Sequence, residues 1–301
     1  MGGKSSEREI SLESARHVYN NLDTEKYDLT LLFMDSHNAV WEIREPLLWM
    51  NTTADIVSKL ETEGKRIYYE DLKQLLDFAF IAMHGKYAED ALQGLLEILN
   101  IPNNGAGVLG GALSMDKAMQ KILLLQAGLF VPRYAELFSS ESVETADAKI
   151  SKSMGYPCII KPSREGSSLG VSRVNDKNQL KNALDLAFKH DNTILAEEIL
   201  TGMEVTTAVI QTQPVRALLP TQTPAKGDFL TAQEKFLPGD ARMITPPDLG
   251  KETIKLIQES CVKAFEVLNL QIYSRIDGFW TGKRFVILEP NNPPAMTPST
   301  A

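Results

Sequence analysis

The chain has 301 residues, 43% of them hydrophobic and 23% charged, a balance typical of a globular protein with more than one core. Its 39 acidic residues exceed its 31 basic ones and give a net charge of −8, which argues against general nucleic-acid binding. Cys158 and Cys261 have neither CxxC spacing nor a nearby histidine pair, so the sequence predicts no disulfide scaffold or zinc site. No apolar run approaches the roughly 20 residues of a membrane span, and we expect a cytoplasmic protein.

The first third of the chain alternates helical and strand-like segments. The pattern predicts helices over 11–21, 71–76 and 91–99, a strand over 27–34 and a short apolar run over 78–83. This alternation favours a layered α/β unit with a mostly parallel sheet. The apolar run ends at His84 and Gly85, and side chains at the carboxyl ends of such strands face the usual ligand crevice.

The rest of the chain predicts two units of α+β character. We expect helices over 115–125 and 253–268, and strands over 158–161, 171–174, 194–196, 204–210, 217–219, 271–279 and 284–289. Breaks in the pattern place the limits of three domains at 1–105, 106–197 and 198–301. The predicted fold class is therefore α/β, with α+β parts.

A glycine- and serine-rich loop over 165–170 joins two of the predicted strands. Glycines let backbone N–H groups approach an anion, and serine hydroxyls add donors, so the loop could cover phosphates, with Lys161 supplying a positive charge beside it. A mobile surface hairpin is the alternative.

Charged pairs elsewhere are open to two interpretations each. Lys117 and Lys121 are four residues apart and share a helix face, either as phosphate ligands or as a solvated stripe. The carboxylates of Glu197, Glu198 and Glu204 flank a junction between strands that could serve an adenine edge and a ribose, or they could be ordinary surface groups.

The last two predicted strands carry possible metal ligands. Residues two apart in a strand share a face, which groups Arg275 with Asp277 and Glu289 with Asn291. If the strands pair antiparallel, two carboxylates and an amide oxygen converge, and such hard oxygen ligands suit Mg²⁺. The alternative is an Arg–Asp ion pair with a surface glutamate.

The motifs occur in one order: GGKSSEREIS at 2–11, HGKYAED at 84–90, MDK at 115–117, KP and EGSSLG at 161–170, EE and GME at 197–204, RID at 275–277 and LEPNN at 288–292. This ordered set resembles the D-alanine–D-alanine ligase family of ATP-grasp enzymes across nearly the whole chain. The resemblance implies a three-part ATP-grasp architecture and ATP-dependent ligation of two D-alanines for peptidoglycan synthesis. A carboxylate is a poor electrophile, so ATP first converts it to an acyl phosphate, and the second amine then attacks.

The resemblance also implies roles for individual residues. Those implied to bind ATP are Lys117, Lys161, Glu165, Gly166, Ser168, Glu197, Glu198, Glu204 and Lys235. Those implied to hold two Mg²⁺ or Mn²⁺ ions are Asp277, Glu289 and Asn291. Those implied to handle D-alanine and the reacting carbon are Glu7, His84, Ser167, Arg275, the backbone N–H of Ala295, and Thr300. A homodimer is implied as well.

The sequence departs from the family pattern at several points. Ala88 and Ala295 replace glycines, and Ala295 would be strained if its φ were positive. Phe236 stands where the dipeptide ligases usually have tyrosine and resembles ligases that use D-lactate as second substrate. D-alanine–D-lactate ligation and a nucleotide-binding pseudoenzyme are therefore alternatives. Both ends look cut relative to the family, from which we expect a poorly stable chain.

Overall fold

The computed structural model describes residues 1–222 and 243–297. Its α-helices are α1 Arg8–Asn21, α2 Glu45–Leu48, α3 Thr53–Val57, α4 Leu60–Glu63, α5 Leu72–Leu75, α6 Ala91–Ile98, α7 Gly107–Met115, α8 Lys117–Gln126, α9 Val143–Ser153, α10 Leu180–Ala187 and α11 Lys251–Val267. Its strands are β1 Leu32–Met34, β2 Val40–Glu42, β3 Lys65–Ile67, β4 Tyr134–Phe138, β5 Cys158–Pro162, β6 Ser172–Val174, β7 Thr193–Glu198, β8 Met203–Ile210, β9 Arg216–Ala217, β10 Thr221–Gln222, β11 Tyr273–Trp280 and β12 Phe285–Asn291. No helix within the described ranges is long and apolar enough to cross a membrane.

The N-terminal part corrects the expectation of a mostly parallel sheet. Strands β1, β2 and β3 pair in that order, and both pairings are antiparallel. Parallel pairing is limited to isolated bridges, where Gly2 meets Met34 and Ala79 meets Asn103. The apolar run over 78–83 is therefore not a regular strand, although its buried side chains Ile81 and Met83 still pack into an apolar cluster.

The helix expected over 115–125 corresponds to α8, and a separate helix, α7, ends at Met115, so the two helices meet at Asp116. This residue has an extended backbone, and its carboxylate accepts a hydrogen bond from the N–H of Met119, 3.1 Å away. Aspartate at this position stabilises a helix start, because it binds an N–H that has no partner inside the helix. The break places Lys117 in the first turn of α8, where its N–H donates to the carbonyl of Ser163.

The second sheet has the order β4–β7–β5–β6, and every pairing in it is antiparallel. Helices α9 and α10 contribute Ile150, Leu180 and Leu184 to an apolar core beneath it. The predicted hairpin of β5 and β6 is confirmed, with Ile160 opposite Ser172.

The third sheet has the order β10–β8–β11–β12, with β9 paired to β8, and α11 packs on it through Ile257, Cys261 and Phe265. The antiparallel pairing of β11 with β12 is confirmed: Arg275 faces Asn291, and Asp277 faces Glu289. A register shift after Asp277 ends this regular stretch. Cys158 and Cys261 are both buried and free.

Candidate active site

A cleft of about 1550 Å³, part of it open to solvent, lies where the second and third sheets meet the N-terminal loops. One end is apolar and is lined by Ile159, Val171, Leu200, Phe279 and Leu288. The other end is lined by charged and polar groups, namely Glu7, His84, Glu89, Lys117, Lys161, Glu165, Ser167, Ser168, Arg275, Glu289 and Asn291. A ligand that joins a flat apolar base to a chain of phosphates would match this division of the lining.

Lys117 stands at the centre of the polar end. Its ammonium nitrogen lies 2.7 Å from the carbonyl oxygen of Glu165 and 3.3 Å from Oε2 of Glu289. It thus joins α8 to the 165–170 loop and to β12. Only 8% of its surface is exposed, which contradicts the solvated-stripe interpretation.

Lys121, the other lysine on that helix face, is 1% exposed and belongs to a buried ion triad. Lys121 and Lys161 each place Nζ 2.9 Å from a different carboxylate oxygen of Glu197. Burial raises the pKa of Glu197, but the two lysines outweigh it and hold that pKa below its usual value. Burial lowers the pKa of Lys121, and Glu197 only partly opposes this. For Lys161, Glu197 and Glu289 outweigh the effect of burial, and its pKa is raised.

The other two candidate nucleotide carboxylates lie apart from this triad. Glu198 lines the cleft and is held by Arg133, whose backbone N–H and Nε each donate to it at 2.8 Å. Glu204 lies on β8 opposite Phe279 and, among the described residues, is not one that lines the cleft.

The 165–170 loop has a backbone shape that side chains rarely adopt. Ser167 and Ser168 both have positive φ, 48° and 60°, and Gly170 follows at 70°. Such conformations cost about 1–3 kcal/mol each for residues other than glycine, and they cluster at ligand sites. Ser167 spans the cleft from this loop and donates a hydrogen bond to Oε1 of Glu7.

Glu7 immediately precedes α1 and is 9% exposed. Its carboxylate is packed against two glycines: a Cβ at Gly85 would lie 2.3 Å from Oε2, and one at Gly166 would lie 2.7 Å from the same atom. Burial raises the pKa of Glu7, while the hydrogen bond from Ser167 and the charge of Lys117 oppose that rise. A buried carboxylate of this kind is suited to an ammonium partner.

Glu89 is a second carboxylate at this end, and sequence reasoning did not single it out. It accepts a hydrogen bond from the N–H of Gly85 at 3.0 Å, so Gly85 lies between Glu7 and Glu89. Burial, followed by the charge of Glu7, raises the pKa of Glu89 to about 8. Its place in HGKYAED was the available signal.

His84 also lines the cleft and is 4% exposed. Its Nε2 lies 2.8 Å from the hydroxyl of Ser14 on α1, and that hydroxyl accepts a hydrogen bond from the N–H of Met296 at 3.1 Å. Burial lowers the pKa of His84 to about 4; the backbone of Pro293 has a smaller, opposite effect. Nδ1 makes no hydrogen bond of normal geometry with the described residues. Because the pKa of His84 lies well below 7, its ring is neutral at pH 7.

The predicted metal ligands converge as the register requires. Asp277 accepts two hydrogen bonds from Arg275, both at 2.9 Å, one from Asn291 at 3.0 Å and one from Thr206 at 2.6 Å. Arg275 lines the cleft with Glu289 and Asn291, whereas Asp277 lies behind them and is 7% exposed.

These three side chains fit a divalent cation only in part. The described residues contain no group of three or more His, Cys, Asp and Glu side chains close enough to hold a metal. The predicted set has two carboxylates and one amide, and Mg²⁺ commonly takes its remaining oxygens from water and substrate phosphates. The donor chemistry fits a nucleotide-bound Mg²⁺, and it does not form a complete protein cage.

Five further residues that the sequence singled out are two alanines of the described ranges and three residues beyond them. Ala295 lines the cleft without a positive φ, so the strain considered for this alanine does not arise. Ala88 is 1% exposed within an apolar cluster, also without a positive φ. Lys235, Phe236 and Thr300 lie outside the described residues.

Two antiparallel sheets that enclose a cleft with lysines, a serine–glycine loop and paired acidic strands define an ATP-dependent ligase of the ATP-grasp class. Models of the D-ala D-ala ligase N-terminus and C-terminus match residues 1–106 and 123–301. The chain therefore belongs to the D-alanine–D-alanine ligase family, whose members use ATP and a divalent metal.

Relatives and solved structures agree with this assignment. The chain is 33% identical to a D-alanine–D-alanine ligase of Bacillus velezensis, over 99% of this chain and 88% of the relative. It is 32% identical to one of Syntrophotalea carbinolica, over 99% and 85%. The structure is similar to VanG D-Ala:D-Ser ligase from Enterococcus faecalis, with a TM-score of 0.84, 28% identity and coverage of 99% and 90%. It is also similar to the D-alanine–D-alanine ligase from Coxiella burnetii, with a TM-score of 0.81, 26% identity and coverage of 99% and 84%.

Proposed function

We propose that this protein joins two D-alanines to D-alanyl-D-alanine through an acyl phosphate, for peptidoglycan precursor synthesis. One observation carries the proposal: the buried carboxylate of Glu7 shares a cleft with Lys117, Lys161 and Arg275. An ammonium receptor is thereby combined with phosphate-binding lysines and an arginine next to the expected acyl carbon. The family membership supports the same reaction.

The nucleotide is proposed to lie along the cleft, with its base among the apolar side chains and its phosphates at Lys117 and Lys161. The backbone and hydroxyls of the 165–170 loop, including Glu165, Gly166 and Ser168, would cover the phosphates. Glu197 would hold Lys161 in place and, with Glu198, serve the adenine edge. Glu204, which lies on β8 outside the cleft lining, stays a candidate for the ribose. Lys235 stays a candidate phosphate ligand.

Two divalent ions are proposed at Asp277, Glu289 and Asn291. When bound, they neutralise charge on the phosphate oxygens during transfer. Arg275 and Asp277 lie on one face of β11 and are paired there. Arg275, released from part of this pairing, would face the reacting carboxylate.

The first D-alanine is proposed to place its ammonium at Glu7, with the neutral ring of His84 nearby. Its carboxylate oxygen attacks the terminal phosphorus of ATP, and ADP leaves. The amine of the second D-alanine, for which Thr300 is a candidate ligand, attacks the acyl carbon, and phosphate leaves. Arg275 and the N–H of Ala295 stabilise the negative oxygen of that tetrahedral state. Closure of the loop by Ser167 excludes water, which would hydrolyse the acyl phosphate.

The test supplies the purified protein with ATP, Mg²⁺ and D-alanine and measures ADP and dipeptide together, expecting one ADP for each dipeptide. Glu7→Gln should raise KM for D-alanine more than about tenfold, because a charged hydrogen bond is worth about 1.5–3 kcal/mol. Glu13→Gln on the exposed side of α1 is the matched control. ATP binding without D-alanine-dependent turnover would instead support a pseudoenzyme. An ester formed in preference to dipeptide when D-lactate is added would contradict the proposed second substrate.

Three features of organisation are also proposed. Three domains are supported by the three separate sheets, although the second sheet ends with β7 at Glu198, one residue beyond the limit at 197. A homodimer is supported by α8, which exposes Met119, Ile122 and Leu125 along one stripe at 41–47% of their surface. We place the reaction in the cytoplasm, where two free cysteines stay reduced.

A further inference from the structure

Ser14 lies inside α1, is 1% exposed, and belongs to neither the glycine-rich start nor any other motif that suggested a function. Its hydroxyl nevertheless touches two parts of the active site that are far apart in the sequence. It lies 2.8 Å from Nε2 of His84 and 3.1 Å from the backbone nitrogen of Met296. A single buried oxygen therefore joins α1, the loop that follows residue 83 and the segment that follows β12.

The two contacts use different capacities of the Ser14 hydroxyl. The N–H of Met296 can only donate, so it uses one acceptor site of the Ser14 oxygen. The hydroxyl keeps its proton and a second acceptor site for Nε2 of His84, so it pairs with this nitrogen in either neutral tautomer of the ring.

We infer that Ser14 is a positioning residue of the ligase, which holds the ring of His84 in place and fixes the backbone at 295–296. Ala295 directly precedes Met296, and its N–H is the proposed partner of Arg275 at the negative oxygen. Ser14 thus aligns the group beside the first D-alanine with the group that stabilises the tetrahedral state. The inference rests on the proposed function for the identity of the substrate.

Ser11 provides a matched control one turn earlier on the same helix. It is also fully buried, and its hydroxyl accepts a hydrogen bond from a backbone N–H, that of Gly2 at 2.9 Å. Ser11 does not line the cleft, and its hydrogen bond with Gly2 involves neither His84 nor Met296. Replacing either serine with alanine removes one hydroxyl and leaves one buried N–H without its acceptor. The variants differ in that Ser14 alone contacts the site.

The experiment compares Ser14→Ala and Ser11→Ala with the full-length wild type for KM of D-alanine, KM of ATP and the melting midpoint. KM is independent of the fraction of protein that is folded, so it separates positioning from stability. We expect Ser14→Ala to raise KM for D-alanine about tenfold, with KM for ATP within about twofold, because one misplaced neutral hydrogen bond has roughly this effect. Ser11→Ala should leave both KM values within about twofold while lowering the midpoint by a similar amount.

A double-mutant cycle with His84→Ala tests whether Ser14 acts through the histidine. Ser14→Ala should change KM for D-alanine less in the His84→Ala background than in the wild type. Fold-changes that multiply in full would overturn the inference. So would a Ser14→Ala variant whose KM values match those of Ser11→Ala, or one whose KM for ATP rises as much as that for D-alanine. If the wild type itself makes no dipeptide, the proposed function fails instead, which keeps the two failures distinct.

Discussion

Replacing the carboxylate of the buried ion triad should destabilise the protein much more than replacing one of its lysines. Glu197 carries the one negative charge and is flanked by Lys121 and Lys161, each 2.9 Å away, so the triad has a net charge of +1. Glu197→Gln raises that charge to +2 in nearly the same volume. Breaking a buried pair in this way costs about 3–5 kcal/mol, because the remaining charges lose their compensation.

Lys121→Met should be much milder. It removes a cation whose pKa burial already lowers, and it leaves the neutral pair of Glu197 and Lys161. Methionine fills a similar volume, and replacing buried charge with apolar volume is often neutral, so we expect a change within about 1 kcal/mol. The difference between the two variants should therefore be at least about 2 kcal/mol.

The assay is a thermal melt without nucleotide, at one scan rate, since ligand binding and slow unfolding both move the midpoint. With an unfolding entropy of about 2.1 cal/mol/K per residue, a change of 1 kcal/mol shifts the midpoint of a 301-residue chain by about 1.6 °C, so Glu197→Gln should melt about 5–8 °C below the wild type. Glu198→Gln is the control, because its partner Arg133 is 61% exposed and such pairs contribute little. A Lys121→Met variant that loses as much as Glu197→Gln would refute the reasoning.

The difference in stability between the wild type and Glu197→Gln should depend on pH with a definite sign. The pKa of Glu197 is held below 4.5 in the folded chain, so the folded state binds fewer protons than the unfolded state as the pH falls. The stabilising contribution of Glu197 is complete above 4.5 and is lost as the pH drops through the folded pKa. The gap in midpoint between wild type and Glu197→Gln should accordingly narrow below pH 4.5.

Three further outcomes are expected. Gly85→Ala, at φ +78°, should abolish ligation because its Cβ would meet Glu7. Gly128→Ala, at φ +77° with open space around it, should have the same backbone strain and stay active. Equal activities of the two variants would contradict this expectation. The raised pKa of Glu89 makes the folded wild type less stable as the pH rises from 4.5 to about 8. Glu89→Gln should therefore flatten the pH dependence of stability in this range, as measured by thermal melts at several pH values. Glu289→Gln should raise the Mg²⁺ concentration for half-maximal ADP release about tenfold, measured against EDTA-treated enzyme, and an unchanged requirement would argue against a metal at this residue.

The strand pairings that carry the candidate site residues could largely be predicted from local sequence patterns. Strand periodicity alone grouped Arg275 with Asp277 and Glu289 with Asn291, and the antiparallel register then brought the two pairs together. The hairpin of β5 and β6 followed in the same way, because two apolar strands flank a glycine-rich turn. Side-chain alternation does not depend on the rest of the fold, so such inferences hold without it.

Other features depended on contacts that a single segment cannot show. Strand direction in the N-terminal sheet is decided by connections between segments, and the expected parallel order was wrong for β1 to β3. The sequence left Lys121 open between a phosphate ligand and a solvated lysine, because a helix face does not reveal that Glu197 lies opposite. Asp116 looked helical because its capping role appears only when Met119 N–H is seen to bind it. Ser14 had no signal at all.

The carboxylates of the cleft have contrasting electrostatic environments, and this contrast matches the two kinds of group that the proposed reaction must hold, phosphates and an ammonium. Lysines hold the pKa of Glu197 low, and the ionised Glu197 in turn holds Lys161, a proposed phosphate ligand, in place. Around Gly85, burial raises the pKa of Glu7 and Glu89, and the charge of Glu7 adds to the rise at Glu89. An ammonium bound there would favour the ionised form of both groups, because a neighbouring cation lowers the pKa of a carboxyl that burial has raised. In the proposed reaction, the carboxyls near Gly85 would therefore receive the amino acid, and the lysines of the cleft would receive the phosphates.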